Sequence, residues 1–361
     1  MRATVVAIAA GYSHTCAITR TAGVECWGYN GHGELGNGTT APRRAPVAVS
    51  GLGKHVRSIA AGEGLTCAVT SAGGAECWGS NGHGELGDGT RTDRHVPVAV
   101  TGLAGGVRAI AVGEALTCAL MIGGAVKCWG YNRYGEVGDG TTTDRHTPVA
   151  VTGLTGGVTA IAVGYLHGCA LTTAGGVQCW GYNGFGQVGD GTTNDRRVPV
   201  MVAGLAHGVV AITAGGGHSC ALTSRGAVKC WGSNYLGELG DGTTTRRLTP
   251  VAVSGLFRGV RALAAGGEAH GCAVMSAGSV KCWGYNGYGQ LGDGTTTDRH
   301  APASVSGPAG GVQAIAAGGF GHTCALTSIG DVRCWGRNTS GQLGDGTTAD
   351  RHGPVAVALD R

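Results

Sequence analysis

The chain has 361 residues, a net charge of +4 and only 13% charged residues, with no block of Lys or Arg in any segment. That balance weighs against a nucleic-acid partner, and no apolar stretch approaches the roughly 20 residues a membrane helix needs. Glycine supplies 73 residues, a level that signals low complexity when it is aperiodic; here the glycines recur at fixed points and read as turn residues.

In chain order, the opening Met1-Arg2-Ala3-Thr4-Val5-Val6-Ala7-Ile8-Ala9-Ala10 has the look of the front of a secretion signal. Internal comparison overrides this, because residues 6–11 line up with 107–113 and 312–318. The segment is read as the first strand of a repeat, and a leader was either removed or never present. The fourth unit shows the pattern most clearly. Residues 158–163 are apolar and end at Gly164; Cys169-Ala170-Leu171-Thr172 follow, then a turn at 173–176 and Val177-Gln178-Cys179-Trp180-Gly181. A long Gly-rich loop leads to Pro199-Val200-Met201-Val202. These are four short strands bounded by Gly, Pro, Asn and Asp, without a helical period.

The same unit occurs seven times, approximately at 1–52, 53–103, 104–154, 155–205, 206–256, 257–308 and 309–361. Self-similarity at this period defines a repeat architecture. The expected fold is all-β: a single seven-bladed β-propeller with about four antiparallel strands per blade, since closure removes exposed sheet edges. The first and last units resemble the others, whereas an open solenoid needs atypical caps. The long loop is expected to cross from one blade to the next, so that residues 354–357 join the blade begun by 5–8 and the N- and C-terminal strands close the ring.

His14-Thr15-Cys16-Ala17-Ile18-Thr19, Val24-Glu25-Cys26-Trp27-Gly28-Tyr29-Asn30 and Gly33-Glu34-Leu35-Gly36 resemble the regulator of chromosome condensation repeat, and all seven units carry the pattern. The resemblance implies a seven-bladed propeller. Members of that family include an exchange factor for a nuclear GTPase, a plant ultraviolet receptor and a secreted bacterial β-lactamase inhibitor, which share a fold and a binding surface rather than a chemistry. The cysteine-bearing version resembles the bacterial, exported branch. Ultraviolet sensing would need tryptophan clusters beyond the single Trp per unit.

The cysteines pair ten residues apart: Cys16 with Cys26, Cys67 with Cys77, Cys118 with Cys128, Cys169 with Cys179, Cys220 with Cys230, Cys272 with Cys282 and Cys324 with Cys334. Around a short turn, such residues face each other on two hairpin strands, at a Cα separation a disulfide accepts. Buried free thiols are the plainer alternative, and zinc would need closer ligands with His alongside. Seven disulfides imply an oxidising compartment, hence a secreted or cell-surface protein.

Positions that differ between units are free to carry function. Four before the first cysteine stand Tyr12, Glu63, Glu114, Tyr165, Gly216, Glu268 and Phe320; in the long loop, two before Glu or Gln, stand His32, His83, Tyr134, Phe185, Leu236, Tyr288 and Ser340. Alternating strands put both sets on one face, where aromatics with interspersed carboxylates suit a protein-binding surface. Neutral drift on solvated loops is the bland alternative. The His before each first cysteine (His14, His167, His218, His270, His322, with Leu65 and Leu116 elsewhere) is read as a hydrogen bond inside its blade rather than a metal ligand. The recurring Asp-Gly-Thr-Thr-Thr-Asp-Arg is read as Asp bonding its own turn with Arg as partner, since the spacing of a calcium loop is missing.

The sequence therefore points to an exported, monomeric module that binds a protein or another macromolecule, with no cofactor, no metal and no catalytic residues. A structural or engineered scaffold without an evolved ligand is the alternative. A hydrolase using Glu63 and Glu114 as paired carboxylates and a GTPase exchange factor are weaker readings, because no unit carries an insertion that could build a lid or a wedge.

Overall fold

The computed structural model describes residues 4–21, 23–52, 55–267, 269–307 and 311–359. Every regular element among them is a β-strand, and the strands form seven four-stranded antiparallel sheets arranged as a ring. In the first blade the strands are β1 (Val5–Ala10), β2 (His14–Thr19), β3 (Val24–Gly28) and β4 (Arg43–Ala48). Burial follows radial position. β2 is buried throughout, its polar His14, Thr15 and Thr19 included, whereas β4 at the rim is largely exposed.

The core lies between blades rather than within them. Cys16, Ile18, Val24, Cys26 and Leu35 of the first blade pack against Val56, Ala68 and Trp78 of the second. Each tryptophan also donates a hydrogen bond backwards: Trp78 Nε1 to the Glu34 carbonyl at 2.8 Å, and Trp27 Nε1 to the Gln342 carbonyl at 2.9 Å. A buried indole N–H needs such a partner. The long loop of one blade thereby becomes the socket for the next.

The propeller is as expected, but the shared blade is not. Every sheet uses four consecutive strands. Residues 354–357 do not join β1: the last strand, Arg351–Ala356, pairs with Val332–Gly336 of the seventh blade, with Cys334 opposite Val355. The long loop leans over the neighbouring blade, where Gly38 N donates to the His95 carbonyl at 2.9 Å, and then returns to its own. A bulge between Cys26 and Gly28 makes the return possible. Gly28 has φ +107°, a conformation open to glycine. The ring closes instead by packing, with Val5, Ala17 and Trp27 against Cys324, Leu326 and Leu343.

All seven cysteine pairs are disulfides, as the spacing suggests. Cys16 is bonded to Cys26, Cys67 to Cys77, Cys118 to Cys128 and Cys169 to Cys179. Cys220 is bonded to Cys230, Cys272 to Cys282 and Cys324 to Cys334. No cysteine is left as a free thiol. The partners face each other in register across each hairpin, as Cys67 does Cys77 and Cys118 does Cys128. Cys220 faces Cys230 and Cys272 faces Cys282 in the same way. The Cα atoms lie 4.1 Å apart in every pair. This is near the spacing of a non-hydrogen-bonded antiparallel pair, about 4.5 Å.

The histidines differ from expectation in their partner. His14 Nε2 bonds Thr66 Oγ1 of the next blade at 2.8 Å, and His322 Nε2 bonds Thr15 across the closing seam at 3.0 Å. Thr66 spends its own proton on the Glu34 carbonyl at 2.9 Å, so His14 Nε2 is the donor in that bond. For His14, His167, His270 and His322 the opposing hydroxyl lies in the adjoining sheet, so the bond ties blades together; His218 faces Gly271 instead, and its Nε2 has no partner among the described residues. Burial holds His14 and His218 down at about 4, and His167 and His322 at about 3.

An unfolded imidazole titrates near 6.5, so these groups sustain stability that is complete above that pH and lost as pH falls toward 4. Replacing them together (His14→Leu, His167→Leu, His218→Leu, His322→Leu) is expected to flatten the dependence of the melting temperature on pH between about 6.5 and 4. Leu65 and Leu116 already fill the equivalent places. An unchanged slope would assign acid sensitivity to other groups.

Candidate functional site

The β1–β2 connections and the long β3–β4 loops emerge on the same face. Each long loop is organised by a buried Asn. Asn30 Oδ1 accepts from Leu35 N at 2.9 Å, and its Nδ2 donates to the carbonyls of Thr39 and Ala41 at 2.9 and 3.1 Å. In the recurring acidic motif, Asp139 Oδ1 accepts from Thr141 N and Oγ1, while Arg145 grips Oδ2 through two nitrogens at 2.7 Å each. Asp therefore bonds its own turn with Arg as partner.

A second device presents the variable side chains. The buried Glu or Gln of each long loop accepts from the backbone N–H two residues earlier: Glu34 from His32 at 3.0 Å, Glu136 from Tyr134 at 2.8 Å, Gln187 from Phe185 at 3.0 Å and Gln290 from Tyr288 at 3.0 Å. The backbone of the divergent residue is pinned and its side chain is left to project.

These side chains meet. Rings form a continuous array over four blades, from His83 to Tyr131 (4.9 Å), Tyr134 (6.4 Å), Tyr182 (5.0 Å), Phe185 (5.9 Å) and Tyr235 (6.2 Å). Nearer the axis, Tyr12 contacts Phe320 at 3.9 Å and Tyr165 at 5.8 Å. Tyr165 reaches across the axis to donate to the Gly319 carbonyl at 3.3 Å. It can lie there because the fifth and sixth blades offer glycine: a Cβ on Gly267 would fall 2.0 Å from the Tyr165 hydroxyl.

Three recesses result. A small one of about 120 Å³ at the axis is lined by Tyr12, Glu63 and Tyr165. A cavity of about 510 Å³ is bounded by Glu114, Tyr165, Phe185, Leu236 and Tyr288. Another of about 480 Å³ is bounded by Tyr12, His32, Glu63, His83, Glu114 and Phe320, with Ser340 at its edge. The two divergent sets thus share one face. Gly216 lies in the second recess, Tyr134 stands in the aromatic array, and Glu268 lies outside the described residues.

Glu63 is partly buried, for which the sequence holds no sign. Its burial, followed by the adjacent Glu114 carboxylate, lifts its carboxyl to about 7, against the pull of His32. Burial likewise lifts Glu136 to about 7. Sequence reasoning misses Tyr29, Tyr131, Tyr182, Tyr285 and Arg337, the residues directly after Trp-Gly. That position also varies between units, so comparing the repeats there is the signal that finds them. Arg337 stacks over Tyr288 and Phe320 at 4.7 and 4.4 Å.

A closed ring of seven four-stranded blades with divergent loops gathered on one face defines a seven-bladed repeat propeller. The RCC1-like domain matches residues 106–361, and the regulator of chromosome condensation (RCC1) repeat matches 25–69 and 77–120, with a further match at 5–34. The chain belongs to the RCC1 repeat family. It is 32% identical over 358 residues to the ultraviolet-B receptor UVR8 of Arabidopsis thaliana, covering 98% of this chain and 81% of that protein. It is 34% identical over 258 residues to the E3 ubiquitin-protein ligase HERC2 of Homo sapiens, covering 70% of this chain but 5% of that much longer protein. Among solved structures, yeast RCC1 (Prp20) bound to Kap60 superposes with a TM-score of 0.81 at 22% identity, covering 100% of this chain and 85% of the other. Human WBSCR16 does so with 0.81 at 24%, covering 91% and 88%. At such identity these structures bear on the fold alone. None of these relatives is a bacterial exported protein.

Proposed function

We propose that the chain is a non-catalytic, protein-binding propeller that uses its divergent face for recognition and works in an oxidising, extracellular setting. The observation that carries this reading is the run of half-exposed rings from Tyr131 to Tyr235 across neighbouring blades. Tyrosine is a preferred anchor of interface centres, because it buries a large area and keeps a polar tip. The solved relative Prp20p from Saccharomyces cerevisiae is described with its binding properties to Gsp1p and histones, so its partners are proteins. The seven disulfides support an oxidising compartment. Glu63 and Glu114 line one recess, where burial first and the Glu114 carboxylate second raise the Glu63 carboxyl.

The test is site-specific photo-crosslinking in the source cells and their medium, with p-benzoylphenylalanine replacing Tyr134 on this face or Phe257 on the opposite one. A discrete protein adduct is expected from position 134 alone, and it should disappear when Tyr182→Ser and Phe185→Ser are added. Adducts from position 257 alone, or from neither, would refute the assignment of this face.

A further inference from the structure

The recess of about 480 Å³ between the seventh, first, second and third blades is lined by four carboxylates, Glu34, Glu63, Glu85 and Glu114. The whole chain carries a net charge of +4, yet these four carboxyls, three of them (Glu34, Glu63 and Glu85) raised by burial, share the recess with one guanidinium, that of Arg337. Its floor holds a polar atom with nothing to bond. Glu34 is fully buried; Oε2 accepts from His32 N at 3.0 Å, but Oε1 has no hydrogen-bond partner among the described residues. That oxygen lies 3.9 Å from where a Cβ on Gly64 would stand, and Gly64 itself lines the recess. The fifth blade solves the same problem internally, because Ser233 Oγ donates to Glu238 Oε1. In the first blade the corresponding residue is Tyr29, which is 41% exposed and leaves that buried oxygen without a donor.

The negative charge is surplus to folding. Gln187, Gln290 and Gln342 accept the same backbone N–H in their blades through an amide oxygen. A buried carboxylate costs free energy unless a cation or donors compensate it. The aromatic wall opposite suits a cation too. Tyr12, Tyr29 and Phe320 line the recess, and the Phe320 ring already receives the Arg337 guanidinium at 4.4 Å. At the rim, His32 and His83 are matched by Asp93 and Asp144 at 2.9 and 3.2 Å. Among the described residues no three His, Cys, Asp or Glu converge closely enough to hold a metal ion. Dispersed carboxylates beside aromatic faces fit an organic cation with an aliphatic stem. The volume falls within the range of ligand sites, about 300–1,000 Å³.

We propose that this recess takes the ammonium or guanidinium of a lysine or arginine side chain presented by the protein partner. The proposal rests on the reading of this face as the recognition surface and specifies the chemistry it recognises.

The experiment uses the purified, disulfide-bonded chain and saturation-transfer NMR titrations with four probes. These are acetyl-Gly-Gly-Lys-Gly-Gly-amide, its Arg and norleucine counterparts, and spermidine. The Lys and Arg peptides are expected to bind and the norleucine peptide not to. Combining Glu34→Gln with Glu63→Gln should weaken them roughly tenfold or more, with no fall in melting temperature. Lys and Arg peptides that bind no better than norleucine, or equally well to the double variant, would overturn the proposal. Binding of spermidine without either peptide would also overturn it, by assigning the recess to a free polyamine. Failure of the peptides with face-specific crosslinking intact would sink this inference alone. Absence of crosslinking while the peptides bind would sink the broader reading instead.

Discussion

Gly113→Ala is expected to destabilise the propeller by about 3 kcal/mol, toward the upper end of what overpacking usually costs. Its φ is not positive, so the argument is one of space. A Cβ there would lie 2.0 Å from the Gly164 carbonyl oxygen and 2.8 Å from Val163 Cγ1. Around the axis each such glycine meets the carbonyl of the next: Gly11 that of Gly62, Gly62 that of Gly113, Gly164 that of Gly215, and Gly318 that of Gly11. A carbonyl that retreats from a new methyl group presses on the following blade, so the ring cannot relax locally. Gly82→Ala is the control, since a Cβ there meets nothing within 4 Å; it should stay within about 0.5 kcal/mol of the parent. Denaturant midpoints compare the two. Equal midpoints would mean that the axis has slack the packing does not show.

Reduction of the seven disulfides is expected to have the largest effect of any treatment. Each closes a hairpin loop of sequence separation 10, for which the chain-entropy estimate is about 2–3 kcal/mol. Seven such contributions together match or exceed the net stability of a typical domain, about 5–15 kcal/mol. Denatured but unreduced protein should take up no alkylating reagent, and reduced protein should take up fourteen equivalents, one for each cysteine, as read by intact mass. Reduced protein should also unfold at far lower denaturant. The sulfurs are buried, so reductant should act on the native ring only as fast as blades open. Fourteen alkylations without reductant would make these residues core thiols and remove the argument for an oxidising compartment.

What is legible in the sequence is whatever is decided within one hairpin. The strands, the turn between paired cysteines and the shared face of Tyr12 and His32 all follow from local alternation. The misreadings concern contacts across a blade boundary. His14 finds Thr66 in the adjoining sheet, and no local pattern separates that from a bond to its own sheet. The last strand, Arg351–Ala356, would look equally apolar in either the first or the seventh blade; the bulge at Gly28 and its equivalents decides the matter by returning each long loop home. Glu63 and Glu114 stand apart in the chain, and only ring curvature brings their carboxyls together. Tyr131 and Tyr182 escape notice because they adjoin the Trp-Gly landmark, which draws attention to what repeats rather than to what varies.

Because each blade is four consecutive strands, the seam between the seventh and first blades is built like the other blade contacts: Trp27 sits against Leu343 just as Trp78 sits against Leu35. Val5 N even donates to the Gly330 carbonyl at 3.2 Å, as Val107 N does to the Gly73 carbonyl at 2.9 Å. The order in which blades leave the ribosome is therefore not written into the packing. A circular permutant opened between the third and fourth blades, beyond the buried Leu154, with the original ends tethered by a short linker, would keep the same blade-to-blade packing. Its disulfides would survive the rearrangement untouched, since each lies inside a single hairpin.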